Sequence, residues 1–207
     1  LTFSYNDISG DGEIGGISGI IEGNSAFYNL HVKADISGGG FFVPEARGGV
    51  VGDASGVDGE AHMDEISFSG SVTSGFDTGG LVGDGGQLSV ENIKINATVI
   101  SGHVNGHTGG VFGTSENSAE INNASIVIED LRLRDIAGSL GRVHGVVGEN
   151  SPDASDIYVI ANTSNGKLRN SQFPNTDSYY LESTQQYAGL TGLSRANMTG
   201  IDAVDAM

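Results

Sequence analysis

The feature that most constrains this chain is a tetrad, Gly-x-x-Gly with two apolar or small residues inside it, five copies of which recur at near-regular spacing. The copies are Gly16-Ile17-Ser18-Gly19, Gly49-Val50-Val51-Gly52, Gly80-Leu81-Val82-Gly83, Gly110-Val111-Phe112-Gly113 and Gly145-Val146-Val147-Gly148. Their first glycines step by 33, 31, 30 and 35 residues, and a glycine also precedes four of them, at Gly15, Gly48, Gly79 and Gly109, with His144 in the fifth. A unit of about 31 residues cannot bury its apolar side alone, so the copies must stack on one another around a continuous core.

A second landmark follows each tetrad: a short polar or acidic residue, an aliphatic, any residue, then another apolar one. It reads Asn29-Leu30-His31-Val32, Glu65-Ile66-Ser67-Phe68, Asn92-Ile93-Lys94-Ile95 and Asp156-Ile157-Tyr158-Val159, with a weaker copy at Asn123-Ala124-Ser125-Ile126. The apolar position returns at Ile36, Val72 and Val99, and Ser-Gly closes the unit at 37–38, 74–75 and 101–102. Alternation with a period of two turns one strand face inward, and no segment outside the tail keeps helical spacing. Each unit is therefore expected to run short strand, turn, short strand, turn. The fold class is all-β, a β-solenoid of the parallel β-helix kind with about five repeats.

The 34 glycines then acquire roles. Glycine loses the most entropy on folding and is kept where the backbone needs positive φ or close approach. The pair ahead of each tetrad is expected in a tight turn with positive φ, and the closing glycine where neighbouring coils touch. Asn29, Asn92 and Asn123, with Glu65 and Asp156, should fall in one column whose side chains can hydrogen-bond as a ladder.

Charge narrows the class of partner. The chain carries 26 Asp and Glu against nine Lys and Arg, a formal charge of −17. That field repels phosphate backbones and anionic lipid, which need clustered cations to displace their counterions. Neither nucleic acid nor membrane insertion is expected, since no apolar run approaches the roughly 20 residues of a spanning helix. Cysteine is absent, which removes disulfides and thiolate metal sites and tilts the source towards bacteria. With no signal-peptide pattern after Leu1, the chain reads as a mature protein or a piece of a longer one.

The Gly-Gly-Leu-Val-Gly at 79–83, followed by Asn92-Ile93-Lys94-Ile95 and a later Ser-Gly, resembles the GLUG motif, a glycine-rich repeat of bacterial surface proteins. The likeness spans about residues 15–166, with 1–14 as a lead-in or cap and 167–207 as a C-terminal capping segment. Ser178-Tyr179-Tyr180-Leu181 and Gly192-Leu193-Ser194-Arg195-Ala196-Asn197-Met198 are similar to the segment that follows the last repeat in that family. The resemblance implies adhesin-like proteins, IgA-specific metallopeptidases and other large exported chains as relatives. It makes Gly16, Gly19, Gly49, Gly52, Gly80, Gly83, Gly110, Gly113, Gly145 and Gly148 the structural residues of the repeat. Aromatic residues gather near the two ends, where a solenoid must cover its last coil.

Candidate chemical sites are fewer. Asp7-Ile8-Ser9-Gly10-Asp11-Gly12 resembles the opening of a calcium loop, with Asp7, Ser9 and Asp11 as ligands, although Ser18 stands where the bidentate glutamate belongs. An acidic turn into the first coil is the simpler reading. No other cofactor is expected. His103 and His107 are four apart but flank a turn, and read as surface histidines. Asp53, Asp84 and Glu149 follow closing glycines and should align, interrupted by Thr114, as a solvated acidic edge that hinders aggregation. No serine lies in a Gly-x-Ser-x-Gly elbow. Sequons begin at Asn96, Asn123, Asn162 and Asn197.

These readings point to a non-catalytic extracellular repeat module, an adhesin or scaffold at the cell surface. Its partner would be a host, matrix or neighbouring protein surface or a glycan. A non-catalytic part of a large secreted protease and a β-helical carbohydrate-binding or carbohydrate-active protein are the alternatives. Recognition is expected in segments 38–47, 53–64 and 129–143, where repeat lengths differ most.

Overall fold

The structure, a computed structural model, describes residues 1–38, 45–57, 61–73, 76–103, 105–116, 118–133, 142–144, 146–149, 153–161, 179–181 and 191–193. It is an all-β solenoid. Each coil contributes two short strands and then one long strand, and like strands stack in parallel into three sheets. The first short sheet stacks Ile14–Gly15, Ala46–Gly48, Asp77–Gly79, His107–Gly109 and Arg142–His144. The second stacks Ser18–Glu22, Val51–Gly56, Val82–Asp84, Phe112–Thr114 and Val147–Glu149. The long sheet stacks Ala26–Gly38, His62–Thr73, Ser89–Ser101, Glu120–Leu133 and Asp153–Ala161.

The long strands revise the expected short-strand pattern. Asn-Leu-His-Val and its equivalents do not open a strand; they lie inside one. Beyond the first of them alternation is strict, with Leu30, Val32, Ala34 and Ile36 buried between exposed His31, Lys33 and Asp35. Just before them it breaks. Met63 and Ile66, Val90 and Ile93, and Ile121 and Ala124 are all buried although three residues apart. An extra residue restores the inward phase, and it is Asn29, Glu65, Asn92, Asn123 or Asp156, each with φ between 50 and 58°. A bulge with one residue in the left-handed region is therefore repeated in every coil, and because all five stack, register is kept across it; the third and fourth long strands shift register only later, between Ala97 and Thr98.

The tetrads turn the chain from the first short sheet to the second. Their inner residues point inward, with Val50, Val51, Leu81, Val82, Val111, Phe112, Val146 and Val147 all fully buried. The arcs hydrogen-bond to one another: Val50 N donates to the Leu81 carbonyl at 2.8 Å, Leu81 N to Val111 at 3.0 Å and Val111 N to Val146 at 2.7 Å. Burial of each such side chain is worth roughly 1.5–3 kcal/mol, so columns of identical type hold the stack together.

None of the described tetrad glycines has positive φ, which corrects the expectation for the pair. Space is the constraint instead. A Cβ on Gly80 would fall on the Gly110 carbonyl oxygen of the next coil, and one on Gly49 would meet the Phe68 ring at 2.5 Å as well as the Gly80 carbonyl. Gly145 lies outside the described residues.

At the ends, Thr2–Ser4 and Ile8–Gly10 pair with His31–Lys33 and Ile36–Gly38, and extend only the long sheet. Phe3, Ile8 and Phe27 pack against the core, while Tyr5 and Tyr28 are exposed. Tyr179–Leu181 and Thr191–Leu193 add two further strands to the other end of the long sheet.

Candidate functional site

The closing glycines create the main polar feature. A Cβ on Gly52 would lie 2.6 Å from the Ile14 amide nitrogen, and one on Gly148 would lie 2.6 Å from that of Thr108. Only glycine lets the second short strand of one coil lie against the first short strand of the coil before it. Along that seam the outward positions of the two sheets meet. On the second sheet the aligned residues are Ile20, Asp53, Asp84, Thr114 and Glu149, so the acidic row exists in the order expected. On the first sheet Ala46, Asp77, His107 and Arg142 align beside it.

His107 is the centre of this seam. Its Nδ1 lies 2.6 Å from an Asp77 carboxylate oxygen and its Nε2 lies 2.9 Å from one of Glu149. One imidazole thus joins three successive coils. Phe76 packs on His103 and, edge on, against His107, with ring centroids 4.6 and 6.0 Å apart. His107 is therefore a buttressed, mostly buried side chain rather than a surface histidine, and its partners lie 30 and 42 residues away in sequence. The signal for Asp77 was available in the repeat, since it occupies the place of His107 one coil earlier.

Asp84 also departs from the solvated edge. It is half-buried, and its carboxylate accepts a hydrogen bond from the Gly86 amide at 3.1 Å. Burial first, then the charges of Asp53, Asp77 and Glu116, push its pKa up to about 6 against the opposing effect of that amide. Asp53 is capped locally by the Ser55 amide at 2.6 Å.

Near the first coil, Arg47 is fully buried in the column of Ile14, Thr78 and Thr108. Its guanidinium meets Glu45 at 2.5 Å and donates to the Gly12 carbonyl at 3.0 Å, while Glu45 accepts from the Gly12 amide at 2.8 Å. Glu13 accepts from the Ala46 amide, and its carboxyl is raised above the usual value chiefly by burial. Of segment 38–47, where recognition was expected, the described residues are 38 and 45–47, and Glu45 and Arg47 tie the first coil to the second through Gly12. Similarly, 53–56, 62–64, 129–133 and 142–143 are strand.

The middle of the calcium reading, Ile8–Gly10, is a strand rather than a loop. Asp7-Ile8-Ser9-Gly10 repeats Asp35-Ile36-Ser37-Gly38 residue for residue and pairs with it, Ser37 Oγ donating to Asp7 at 3.5 Å. Among the described residues no group of three or more His, Asp or Glu side chains could hold a metal ion. The polar ladder is built as Asn123 Nδ2 donating to Asn92 Oδ1 at 2.6 Å and Asn92 Nδ2 to Asp64, not Glu65, at 2.8 Å.

The outward face of the long sheet varies from coil to coil. One column reads His31, Ser67, Lys94, Ser125, Tyr158 and the next Lys33, Ser69, Asn96, Val127. His31 Nδ1 lies 2.7 Å from Ser67 Oγ, and Ser71 Oγ donates to Asp35 at 2.7 Å. No family model, curated protein or solved structure matches this chain.

Proposed function

We propose that this chain is a non-catalytic extracellular repeat module that acts as a surface scaffold or adhesin. The observation that carries the reading is the division of labour among its positions. Residues that recur in every coil are glycines, inward aliphatics and bulge residues, which build the stack, whereas the two outward columns that begin at His31 and Lys33 change residue at each step. Such a face can recognise an extended partner, a matrix protein or a glycan, by several weak contacts spread along the axis. The resemblance of the tetrads to the glycine-rich repeat of bacterial surface proteins supports the same reading.

The test is binding of the isolated chain to panels of matrix proteins and glycans. Reversing Lys33 and Lys94 together to glutamate, both outward on the long sheet, should reduce capture at least tenfold while leaving the melting temperature within about 2 °C, since exposed substitutions cost little. Turnover of a peptide or polysaccharide that disappears in His107→Ala would replace this reading with an enzymatic one centred on the seam.

A further inference from the structure

Among the described side chains, the seam between the two short sheets brings several carboxylates together with few basic partners. Asp77 and Glu149 share His107, and Glu45 has Arg47. Asp84 and Glu13 each have a backbone amide as hydrogen-bond donor. Asp84 stands on the strand between Asp53 and Thr114, with Asp77 and Glu116 as the further charges acting on it. Glu13 faces Asp53 and Glu45, both unfavourable, and Arg47, whose attraction is the smallest influence on it. Both carboxylates belong to strands, or run directly into strands, whose stacking holds neighbouring coils together. Any free energy tied to their charge is therefore tied to coil contact.

We propose that this seam is a pH-responsive latch, which tightens the stack of coils on mild acidification and loosens it as the surroundings return to neutral. The reason is electrostatic. Half-buried carboxylates with like charges on neighbouring strands cost the folded state energy when ionised, and the unfolded chain escapes that cost. The folded state holds the proton more tightly, so it binds more protons than the unfolded chain between the two pKa values, and stability falls as pH rises. For Asp84 the penalty is complete above about 6 and is relieved as pH falls towards 3.8, the ordinary aspartate value. Glu13 acts in the same direction. The latch does not depend on what the outward face binds.

The experiment is equilibrium urea unfolding of the full chain at about pH 7.5 and about pH 5. The parent should become more stable at the lower pH. Asp84→Asn should be more stable than the parent at the higher pH, and its gain on acidification should be smaller by on the order of tenfold in the unfolding equilibrium constant, about one pKa unit of linkage. Glu91→Gln, which removes one exposed charge from the long sheet, should keep the parent's gain, and so separates the latch from the general relief of a −17 chain. Glu13→Gln provides the same comparison if Asp84→Asn does not fold. An Asp84→Asn or Glu13→Gln gain equal to that of Glu91→Gln overturns the proposal.

Discussion

The glycine arcs and the bulges of the long strands are both repeated in every coil, yet they solve opposite problems. At the arcs the described tetrad glycines avoid positive φ, and there is no room: a Cβ at Gly80 would meet the next coil's backbone and, at 3.1 Å, the Ile95 side chain. At the bulges the backbone is left-handed, and the residues are Asn, Asp or Glu with side chains turned outward. At the tetrads glycine reports missing space, while at the bulges the left-handed conformation is carried by Asn, Asp and Glu; outside the tetrads, Gly12, Gly23, Gly38, Gly70 and Gly86 also have positive φ. Asn and Asp suit that region because their short polar side chains bond locally.

The sharpest way to break this comparison is to place the bulge residue in the arc. Gly80→Asn would be tolerated if the arc needed positive φ. Instead it should cost about 3 kcal/mol, as should Gly80→Val, because either side chain forces two coils apart. Chemical denaturation of both variants measures this, and a loss under about 1 kcal/mol for Asn would return the glycine to a conformational role.

At the bulge a smaller effect is expected. Asn92→Ala should cost about 1–2 kcal/mol, through the left-handed penalty for a residue with Cβ and no compensating amide. Its Nδ2 bond to Asp64 and its Oδ1 bond from Asn123 would be lost as well. Asn92→Gly, which keeps the conformation and loses only those exposed hydrogen bonds, should stay within about 1 kcal/mol of the parent. If alanine and glycine fell equally, the ladder and not the backbone would decide the site.

The smallest effect has the opposite sign. Glu65 holds the left-handed position with the side chain least suited to it among the five, so Glu65→Asn should stabilise the protein by about 0.5–1 kcal/mol, read as a rise in denaturation midpoint. A fall would mean that Glu65 makes contacts outweighing its backbone cost.

Much of this was legible in the residues. Tetrad spacing located the coils, and equal offsets from the closing glycine placed Asp53, Asp84, Thr114 and Glu149 in one row, because parallel stacking in register turns equal offsets into neighbours. The repeated tetrapeptide Asp-Ile-Ser-Gly at 7–10 and 35–38 was also open to reading, and would have replaced the calcium loop with a strand. The spacing of Met63 to Ile66 and of Val90 to Ile93 held the bulge, although a pattern sought with a period of two reads it as the gap between two strands.

What the sequence by itself determined is which residues recur and therefore which stack, since that follows from one period and one direction of travel. Tertiary structure decided what lies across the seam. The second short strand of each coil settles against the first short strand of the coil before, an offset set by how closely two backbones can approach through glycine. That offset, which no single repeat contains, brings His107 between Asp77 and Glu149 and leaves Asp84 half-buried among like charges.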